Sequence, residues 1–265
     1  MTAEDAAWTA IDAAAAEARS GARVVRYGDH SDHPGHPDQI AEVHGSGPAI
    51  VVLLHGGYFR PSIDRTHARG LAADLAAATG HQVWLAEYRR VPGDPEATLD
   101  DLRALDRAAG AAGDVIAWAG HSAGGTLALW RACAADLGPV PVVALAPVVD
   151  LRRAAEDRLG DGAVVDWMGG TPAEVPAHYA VADPLPRLRA GAADRPGGGV
   201  TVLHGDRDAT VPVSQSTALT DPPAPGVRVE VLAGAHHFDA FDLRTAAGAA
   251  LVAALRPRGS SDRRP

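Results

Sequence analysis

Short runs of β-branched and other apolar residues recur along the chain, and stretches with helical character separate them. The run at 49–54, Ala-Ile-Val-Val-Leu-Leu, contains no polar residue. Such a continuous run is typical of a strand that is buried on both faces of a parallel sheet. Strands that alternate with helices in this way predict an α/β fold, with a mostly parallel central sheet and helices on both of its faces.

The predicted elements fill most of the chain. Predicted strands are at 23–27, 40–44, 49–54, 82–88, 115–119, 140–145, 200–204 and 227–232, and predicted helices are at 4–19, 66–78, 95–109, 123–134 and 245–255. In the helix at 95–109, Leu99, Leu102 and Leu105 recur at intervals of three, which predicts one buried face. A length of 265 residues suits a single domain.

Residues 151–196 interrupt this alternation with short helical patches and several prolines. We interpret this segment as a small lid insertion over the edge where the parallel strands end, since ligands bind there in open α/β sheets. Its large apolar side chains, Trp167, Met168 and Tyr179, either wall a small substrate pocket or form the core of the insertion.

The charge balance and the hydropathy exclude several classes of partner. The formal net charge is −9, and the 24 basic residues are all arginines scattered along the chain. Nucleic acid binding needs clustered positive charge, so we expect no nucleic acid partner. No apolar stretch approaches the roughly 20 residues that cross a bilayer, and residues 1–18 lack the features of a signal peptide. We therefore expect a cytoplasmic protein without a membrane partner.

The strongest chemical signal is the sequence Gly-His-Ser-Ala-Gly at residues 120–124. It follows the predicted strand at 115–119 and opens the predicted helix at 123–134. A G-x-S-x-G motif in this context is typical of a nucleophile elbow, where small neighbours allow the serine a strained backbone. The alternative is a glycine-rich turn without chemistry. We predict that Ser122 is a nucleophile.

A serine hydroxyl needs a base to take its proton, and the base needs an acid to orient it. When the serine stands on an elbow of this kind, the acid and then the histidine follow it along the chain. Asp206 and Asp208 follow the strand at 200–204, and His236 and His237 follow the strand at 227–232. From these residues alone, either acid and either histidine can complete the set.

A third group of residues is suited to stabilising a negative charge. The sequence His-Gly-Gly-Tyr at residues 55–58 ends the strand at 49–54, at the same predicted edge of the sheet as Ser122. Glycines let backbone amides approach a ligand closely. The amides of Gly57 and Tyr58, with that of Ala123, are the predicted oxyanion hole. The alternative is a turn without this role.

Together these segments resemble the α/β-hydrolase superfamily, and within it the esterase and kynurenine formamidase-like branch. The similarity is carried by residues 55–58, 87–92, 120–125, 208–212 and 237–239. In that family the acid commonly stands three residues before a Val-Pro pair and the histidine precedes a Phe. The resemblance therefore implies Asp208 and His237. Lipase-like relatives usually carry a third glycine where this chain has Tyr58, which favours the formamidase-like group.

The resemblance implies a serine hydrolase that cleaves a small carboxylic ester or amide and needs no cofactor or metal. Its partner would be a small-molecule substrate. The small size of the insertion at 151–196 and an aromatic content of only 5% favour a short acyl group. An acyltransferase with the same three residues is one alternative. A catalytically silent binding protein is another, although such proteins typically lose one of the three. A loop with His30, His33 and His36 among aspartates matches no defined metal-site spacing, so we interpret it as a polar loop.

Overall fold

The structure is a computed structural model that describes residues 3–17, 22–28 and 35–256. These residues form a central sheet flanked by helices. The strands are β1 (Arg23–Arg26), β2 (Ile40–His44), β3 (Ala49–Leu54), β4 (Gln82–Ala86), β5 (Asp114–His121), β6 (Val142–Leu145), β7 (Val200–Gly205) and β8 (Val227–Leu232). The helices are α1 (Ala3–Glu17), α2 (Arg69–Thr79), α3 (Pro95–Ala112), α4 (Ala123–Cys133), α5 (Leu151–Glu156), α6 (Leu159–Met168), α7 (Pro176–Ala182), α8 (Pro184–Arg189), α9 (Ser214–Thr217) and α10 (Ala246–Leu255).

The strand order is β1-β2-β4-β3-β5-β6-β7-β8. In this order every neighbouring pair from β4 to β8, β3 included, is parallel, whereas β2 is antiparallel to both β1 and β4. The predicted fold class, a mostly parallel sheet with helices, is confirmed. Parallel pairing of β3 and β6 with β5 brings the carboxyl ends of these strands to one edge, where Leu54 pairs with Gly120 and Leu145 with His121.

Both faces of the sheet are buried, as the apolar run of β3 predicts. Val51 and Leu53 join a core that α2 and α10 cover, whereas Val52 and Leu54 join a second core with α3 and α4. This division follows from the strand geometry, because successive side chains point to opposite faces. The predicted buried face of α3 is confirmed, since all three of its leucines at intervals of three are at most 1% exposed.

Local side chains explain where the helices around the sheet begin and end. The predicted helix at 66–78 starts as a 3-10 turn over Arg65–Ala68, which Asp64 caps by accepting a hydrogen bond from Thr66 N at 2.9 Å. The α-helical part, α2, ends at Gly80 with φ +72°, a left-handed conformation that favours glycine. Asp94 caps α3 in the same way, by accepting from Ala97 N at 3.1 Å.

The segment 151–196 folds into α5, α6, α7 and α8 and packs against the α3 and α4 side of the sheet. Trp130 of α4 donates from Nε1 to Val181 O at 2.9 Å, and Trp167 of α6 donates from Nε1 to Thr98 Oγ1 at 3.2 Å. Both indole groups therefore satisfy their polar atom while the rest of the ring is buried. These contacts hold the segment against α3 and α4.

One buried carboxyl in this segment is poorly satisfied. Asp183 Oδ1 accepts hydrogen bonds from Leu185 N at 3.2 Å and Leu151 N at 3.5 Å, but Oδ2 has no hydrogen-bond partner. The nearest cation is Arg152, whose Nε lies 3.9 Å from Oδ2 and whose side chain is 42% exposed. Burial raises the pKa of Asp183 to about 6.

This raised pKa predicts a pH-dependent stability. Between about pH 4 and pH 6 the folded protein keeps Asp183 protonated while the unfolded chain is ionised, so the free energy of unfolding falls as the pH rises. Asp183→Asn removes the charge and keeps the capping oxygen. We expect it to stabilise the protein by roughly 1–3 kcal/mol at pH 8 and much less at pH 4. Thermal unfolding at both pH values measures this, and an equal gain at both would contradict it.

Candidate active site

Ser122 stands in a strained turn between β5 and α4. Its backbone has φ 54° and ψ −120°, a conformation that residues other than glycine rarely adopt. The turn is tight because backbones touch on both sides of it. A Cβ on Gly120 would lie 2.1 Å from Gly124 O, and a Cβ on Gly124 would lie 2.3 Å from Leu54 O. The predicted need for small neighbours of Ser122 therefore has a direct steric cause.

Asp208 and His237 are hydrogen-bonded to each other. His237 Nδ1 donates to Asp208 Oδ2 at 2.6 Å, and both side chains are almost fully buried. The other carboxylate oxygen, Oδ1, accepts from Thr210 N at 2.9 Å and from Val211 N at 2.7 Å. This geometry leaves Nε2 of His237 available as a base and fixes the tautomer of the ring.

The environment of Asp208 favours its ionised form. Burial alone would raise the pKa of this carboxyl, but hydrogen bonds from His204 and His237 outweigh burial and lower the pKa well below its usual range. His204 was not identified as a site residue from the sequence. Its position four residues before Asp208, at the end of β7, is the signal that could have indicated it.

The two alternative residues lie outside this arrangement. Asp206 Oδ1 accepts from Gly234 N at 2.7 Å, so this carboxylate joins two loops, and its side chain is 42% exposed. His236 bonds through Nδ1 to Arg207 O at 3.0 Å. The structure thus brings together the acid and the histidine that the resemblance implied, and gives their neighbours other contacts.

The loop after β3 has the conformation expected of a backbone that faces a ligand. Gly57, Tyr58 and Phe59 have φ values of 124°, 53° and 55°. A Cβ on Gly57 would lie 2.7 Å from Ile63 Cγ2, so this position requires glycine. The third predicted amide, that of Ala123, lies in the first turn of α4, where N–H groups have no partner inside the helix.

A buried ionic cluster holds this loop from behind. Glu87 Oε1 lies 3.0 Å from His55 Nε2 and accepts a further hydrogen bond from Arg90, while Oε2 accepts from Arg65 N at 2.9 Å. Tyr88 donates from its hydroxyl to His55 O at 2.7 Å. Burial would raise the pKa of Glu87, but hydrogen bonding and the nearby positive charges lower it well below its usual range. Residues 87–92 are among the segments that carry the resemblance seen in the sequence, but that resemblance gave Glu87, Tyr88 and Arg90 no role.

Ser122 and His237 line one cavity of about 550 Å³, which lies within the usual range for small-molecule sites. Its walls come from α1 (Trp8, Thr9), from the loop after β3 (Gly56, Gly57, Tyr58, Ile63, His67), from the elbow (His121, Ser122) and from the loops after β7 and β8 (Thr210, His237, Phe238). None of these residues is an aspartate, glutamate, arginine or lysine.

Two further histidines in the cavity wall are held neutral. Burial lowers the pKa of His67 to about 4, and burial together with the nearby His237 lowers the pKa of His121 well below its usual value. His67 donates from Nδ1 to Asp64 O at 2.8 Å, and His121 donates from Nε2 to His237 O at 2.9 Å. The described residues of the cavity wall therefore offer aromatic and hydrogen-bonding surface without fixed charge around neutral pH.

The sequence leaves two roles open for the large side chains of the segment 151–196, a pocket wall and a core of the insertion. The structure supports the core, although the segment also reaches the loop after β3, where Arg60 donates to Gly160 O at 2.7 Å. No residue of this segment lines the cavity, and Trp167, Met168 and Tyr179 are buried against the α3 and α4 side. Trp167 stacks on Phe59 with ring centroids 4.1 Å apart. These large side chains form the core of the insertion because the neighbouring helices give them more apolar contact than the strand ends do.

Part of the cavity wall comes from α1. Trp8 packs against His67, with ring centroids 5.3 Å apart, and against Phe238, at 5.4 Å. The sequence predicted this helix but gave it no part in the site. Trp8 is the only aromatic residue of an alanine-rich helix, and that is the signal that could have indicated a contact.

The described residues contain no group of three side chains suited to holding a metal ion. In the histidine- and aspartate-rich loop, His36 and Asp38 lie 3.7 Å apart and are exposed, whereas His30, His33, Asp29 and Asp32 lie outside the described residues. Over the same described ranges, no helix has the length and apolar character needed to cross a bilayer.

Comparisons with known proteins agree with this fold. A family model described as alpha/beta hydrolase fold matches residues 51–179. A putative thioesterase from Silicibacter sp. has a TM-score of 0.70 and 20% identity, over 96% of this chain and 94% of its own. A hyperthermophilic esterase from Pyrobaculum calidifontis has a TM-score of 0.67 and 15% identity, over 95% of this chain and 91% of its own. Esterase LipW from Mycobacterium marinum has a TM-score of 0.62 and 20% identity, over 95% of this chain and 85% of its own. No curated protein matches the chain significantly in sequence.

At these identities the solved structures establish the fold, and the family match covers residues 51–179, which include most of β3 and the turn at Ser122. The strand order and the strained Ser122 turn are features of the same architecture. The chain has the α/β-hydrolase fold.

Proposed function

We propose that this protein is a serine hydrolase that cleaves small, uncharged carboxylic esters. The observation that carries the proposal is a single constellation. Ser122, in its strained turn, lines the same cavity as His237, and His237 is hydrogen-bonded to the buried carboxylate of Asp208. This is the arrangement that nucleophilic catalysis by serine requires. Several of the similar solved structures bear the name esterase, which supports the same reaction class.

The proposed reaction has two halves. Ser122 Oγ attacks the ester carbonyl carbon while His237 Nε2 takes the hydroxyl proton, and Asp208 keeps the imidazolium in place. The carbonyl oxygen becomes an oxyanion that accepts hydrogen bonds from the amides of Gly57, Tyr58 and Ala123. The intermediate collapses, and His237 returns the proton to the departing alcohol. Water then attacks the acyl-enzyme by the same route and releases the carboxylic acid.

The walls of the cavity favour a neutral substrate. Among the residues that the structure describes, no charged side chain lines it, and its two additional histidines stay neutral around pH 7. A substrate with a carboxylate or an ammonium group would lose hydration there without gaining an ionic partner. For this reason we favour uncharged esters over the zwitterionic N-formylkynurenine, which the resemblance to the formamidase-like branch brought into consideration. Both substrates belong in the first activity screen.

The size of the pocket favours a short acyl group. A second, mostly apolar cavity of about 830 Å³ lies beneath α1, and it shares His67 and Phe238 with the catalytic cavity. Trp8 packs against both shared rings but lines only the catalytic side. The three rings form an aromatic wall between the two cavities. We infer that this wall limits the length of the acyl chain.

The nucleophile assignment is tested by replacing Ser122 with alanine. We expect Ser122→Ala to fold normally and to lose at least about 1,000-fold in kcat on p-nitrophenyl acetate, because the remaining groups give only weak catalysis. A fluorophosphonate probe should label the wild type at Ser122, as mass spectrometry of the peptides would show. Labelling that persists in the Ser122→Ala variant would refute the assignment.

The acid and the base each have a neighbour of the same kind that serves as a matched control. We expect His237→Ala and Asp208→Asn to lower kcat by at least about 100-fold. The corresponding changes His236→Ala and Asp206→Asn should leave kcat within about fivefold of the wild type. The reason is that the side chain of His236 bonds to Arg207 O and that of Asp206 bonds to Gly234 N. If His236→Ala were the more damaging histidine change, our choice of base would be wrong.

The aromatic wall gives a prediction about selectivity. For the wild type we expect kcat/KM to be highest on p-nitrophenyl esters of about two to four carbons and to fall beyond them. Trp8→Ala should open the second cavity and raise kcat/KM for the octanoate, relative to the acetate, by about tenfold. Trp8→Phe keeps an aromatic ring and should keep the wild-type profile. A wild type that already favours eight to twelve carbons, or a Trp8→Ala profile equal to the wild type, would contradict the inference.

A further inference from the structure

A second histidine contacts the proposed catalytic acid and does not line the catalytic cavity. His204 is the penultimate residue of β7, and its side chain is fully buried. Its Nε2 lies 2.9 Å from Val211 O and 3.2 Å from Asp208 Oδ2, and its Nδ1 lies 2.6 Å from Ser216 Oγ. A carbonyl oxygen and a carboxylate oxygen can only accept, so Nε2 carries the proton. In that tautomer Nδ1 accepts from the Ser216 hydroxyl.

Two imidazole rings therefore donate to one carboxylate oxygen. Oδ2 of Asp208 accepts from His237 Nδ1 at 2.6 Å and lies 3.2 Å from His204 Nε2, whose N–H it shares with Val211 O, while Oδ1 accepts from two backbone amides. A carboxylate offers about four acceptor positions, and all of them are used here. Rotation of the carboxylate would break at least two of these hydrogen bonds. The orientation of Oδ2 toward His237 is thus determined by His204 as well as by the loop.

We propose that His204 is a positioning residue that acts on catalysis through Asp208, by holding Oδ2 where His237 Nδ1 can donate to it. The inference rests on the proposed function of Ser122, Asp208 and His237. The electrostatics support it, since the hydrogen bond from His204 contributes to the low pKa of the Asp208 carboxyl against the opposing effect of burial. Residues that orient a reacting group in this way commonly govern its efficiency without contacting the substrate.

A purely structural role makes different predictions from a positioning role. Because His204 also donates to Val211 O, its loss could loosen the loop without any specific effect on Asp208. In that case the effects of changing His204 and Asp208 would multiply. If His204 acts through Asp208, its loss should matter little once the carboxylate is gone. A double-mutant cycle separates the two cases.

The cycle consists of the wild type, His204→Leu, Asp208→Asn and the double variant, assayed on p-nitrophenyl acetate. We expect His204→Leu to lower kcat by about 10- to 100-fold with KM changed less than about threefold. The double variant should lie within about threefold of Asp208→Asn alone. His204→Gln places an N–H donor near the position of Nε2, and it should recover most of the loss. Multiplying losses, or a glutamine variant no better than leucine, would overturn the proposal.

A matched control accounts for the general cost of removing a buried histidine. His44 of β2 is also buried, and it does not line the catalytic cavity. We expect His44→Leu to leave kcat within about twofold of the wild type. If His44→Leu lowered kcat as strongly as His204→Leu, the effect at His204 would be one of stability alone, and the proposal would fail.

A readout that needs no turnover keeps the inference apart from the proposed function. In protein with 15N-labelled histidine, NMR should show His204 as the Nε2-protonated tautomer, and Asp208→Asn should shift its Nε2–H signal. An Nδ1-protonated His204 would overturn the inference even if the enzyme is active. Conversely, a wild type that no fluorophosphonate labels would refute the proposed function, while the NMR result would still decide whether His204 donates to Asp208.

Discussion

The contact between the backbones of β3 and α4 determines where the candidate catalytic groups meet. It occurs at Gly124, where even one carbon atom would collide with the carbonyl oxygens of Leu54 and His55. Because α4 can approach β3 so closely, its first turn lies beside the loop at 55–58. Ser122 is thereby placed between that loop and His237, at the edge where the parallel strands end. A larger residue at position 124 would push these groups apart.

The site also depends on buried carboxylates whose hydrogen-bonding capacity is filled. Glu87 and Asp208 are both buried, yet donors and positive charges outweigh burial and keep both carboxyls ionised. Asp183 is the counter-example, since one of its oxygens has no hydrogen-bond partner and burial raises its pKa. Buried ionic groups are an uncertain source of stability. Here Glu87 holds the loop after β3, and Asp208 holds the loop after β7. The proposed reaction needs each loop in one fixed conformation, and a satisfied buried network provides that even where its net contribution to stability is small.

The sequence was sufficient for those parts of the fold and site that depend on local patterns. The apolar run of β3 predicted a strand buried on both faces, and the spacing of Leu99, Leu102 and Leu105 predicted the buried face of α3. The turn around Ser122 was predictable because its small neighbours are adjacent in sequence. The choice between Asp206 and Asp208 was not, since both follow the same strand and only their tertiary contacts differ.

The features that the sequence did not reveal are contacts between distant segments. Trp8 meets His67 and Phe238 across gaps of about 60 and 230 residues, and no periodicity within α1 predicts such partners. The role of the large side chains in the insertion was left open for a related reason. Its prolines and short helices indicated an interruption of the α/β alternation, but the side on which it packs depends on apolar surface supplied by α3 and α4.

The position of Trp8 has a consequence for how such a protein can diversify. The residue that separates the catalytic cavity from the apolar space beneath α1 belongs to a helix outside the sheet, whereas Ser122, Asp208 and His237 follow its strands. Under the proposed function, the residue that limits acyl length and the residues that react are therefore encoded in separate stretches of the chain. Substitutions in α1 can accumulate without disturbing the elbow or the buried carboxylates. Related chains can share one reaction and differ in the substrates they admit through changes in their first helix alone.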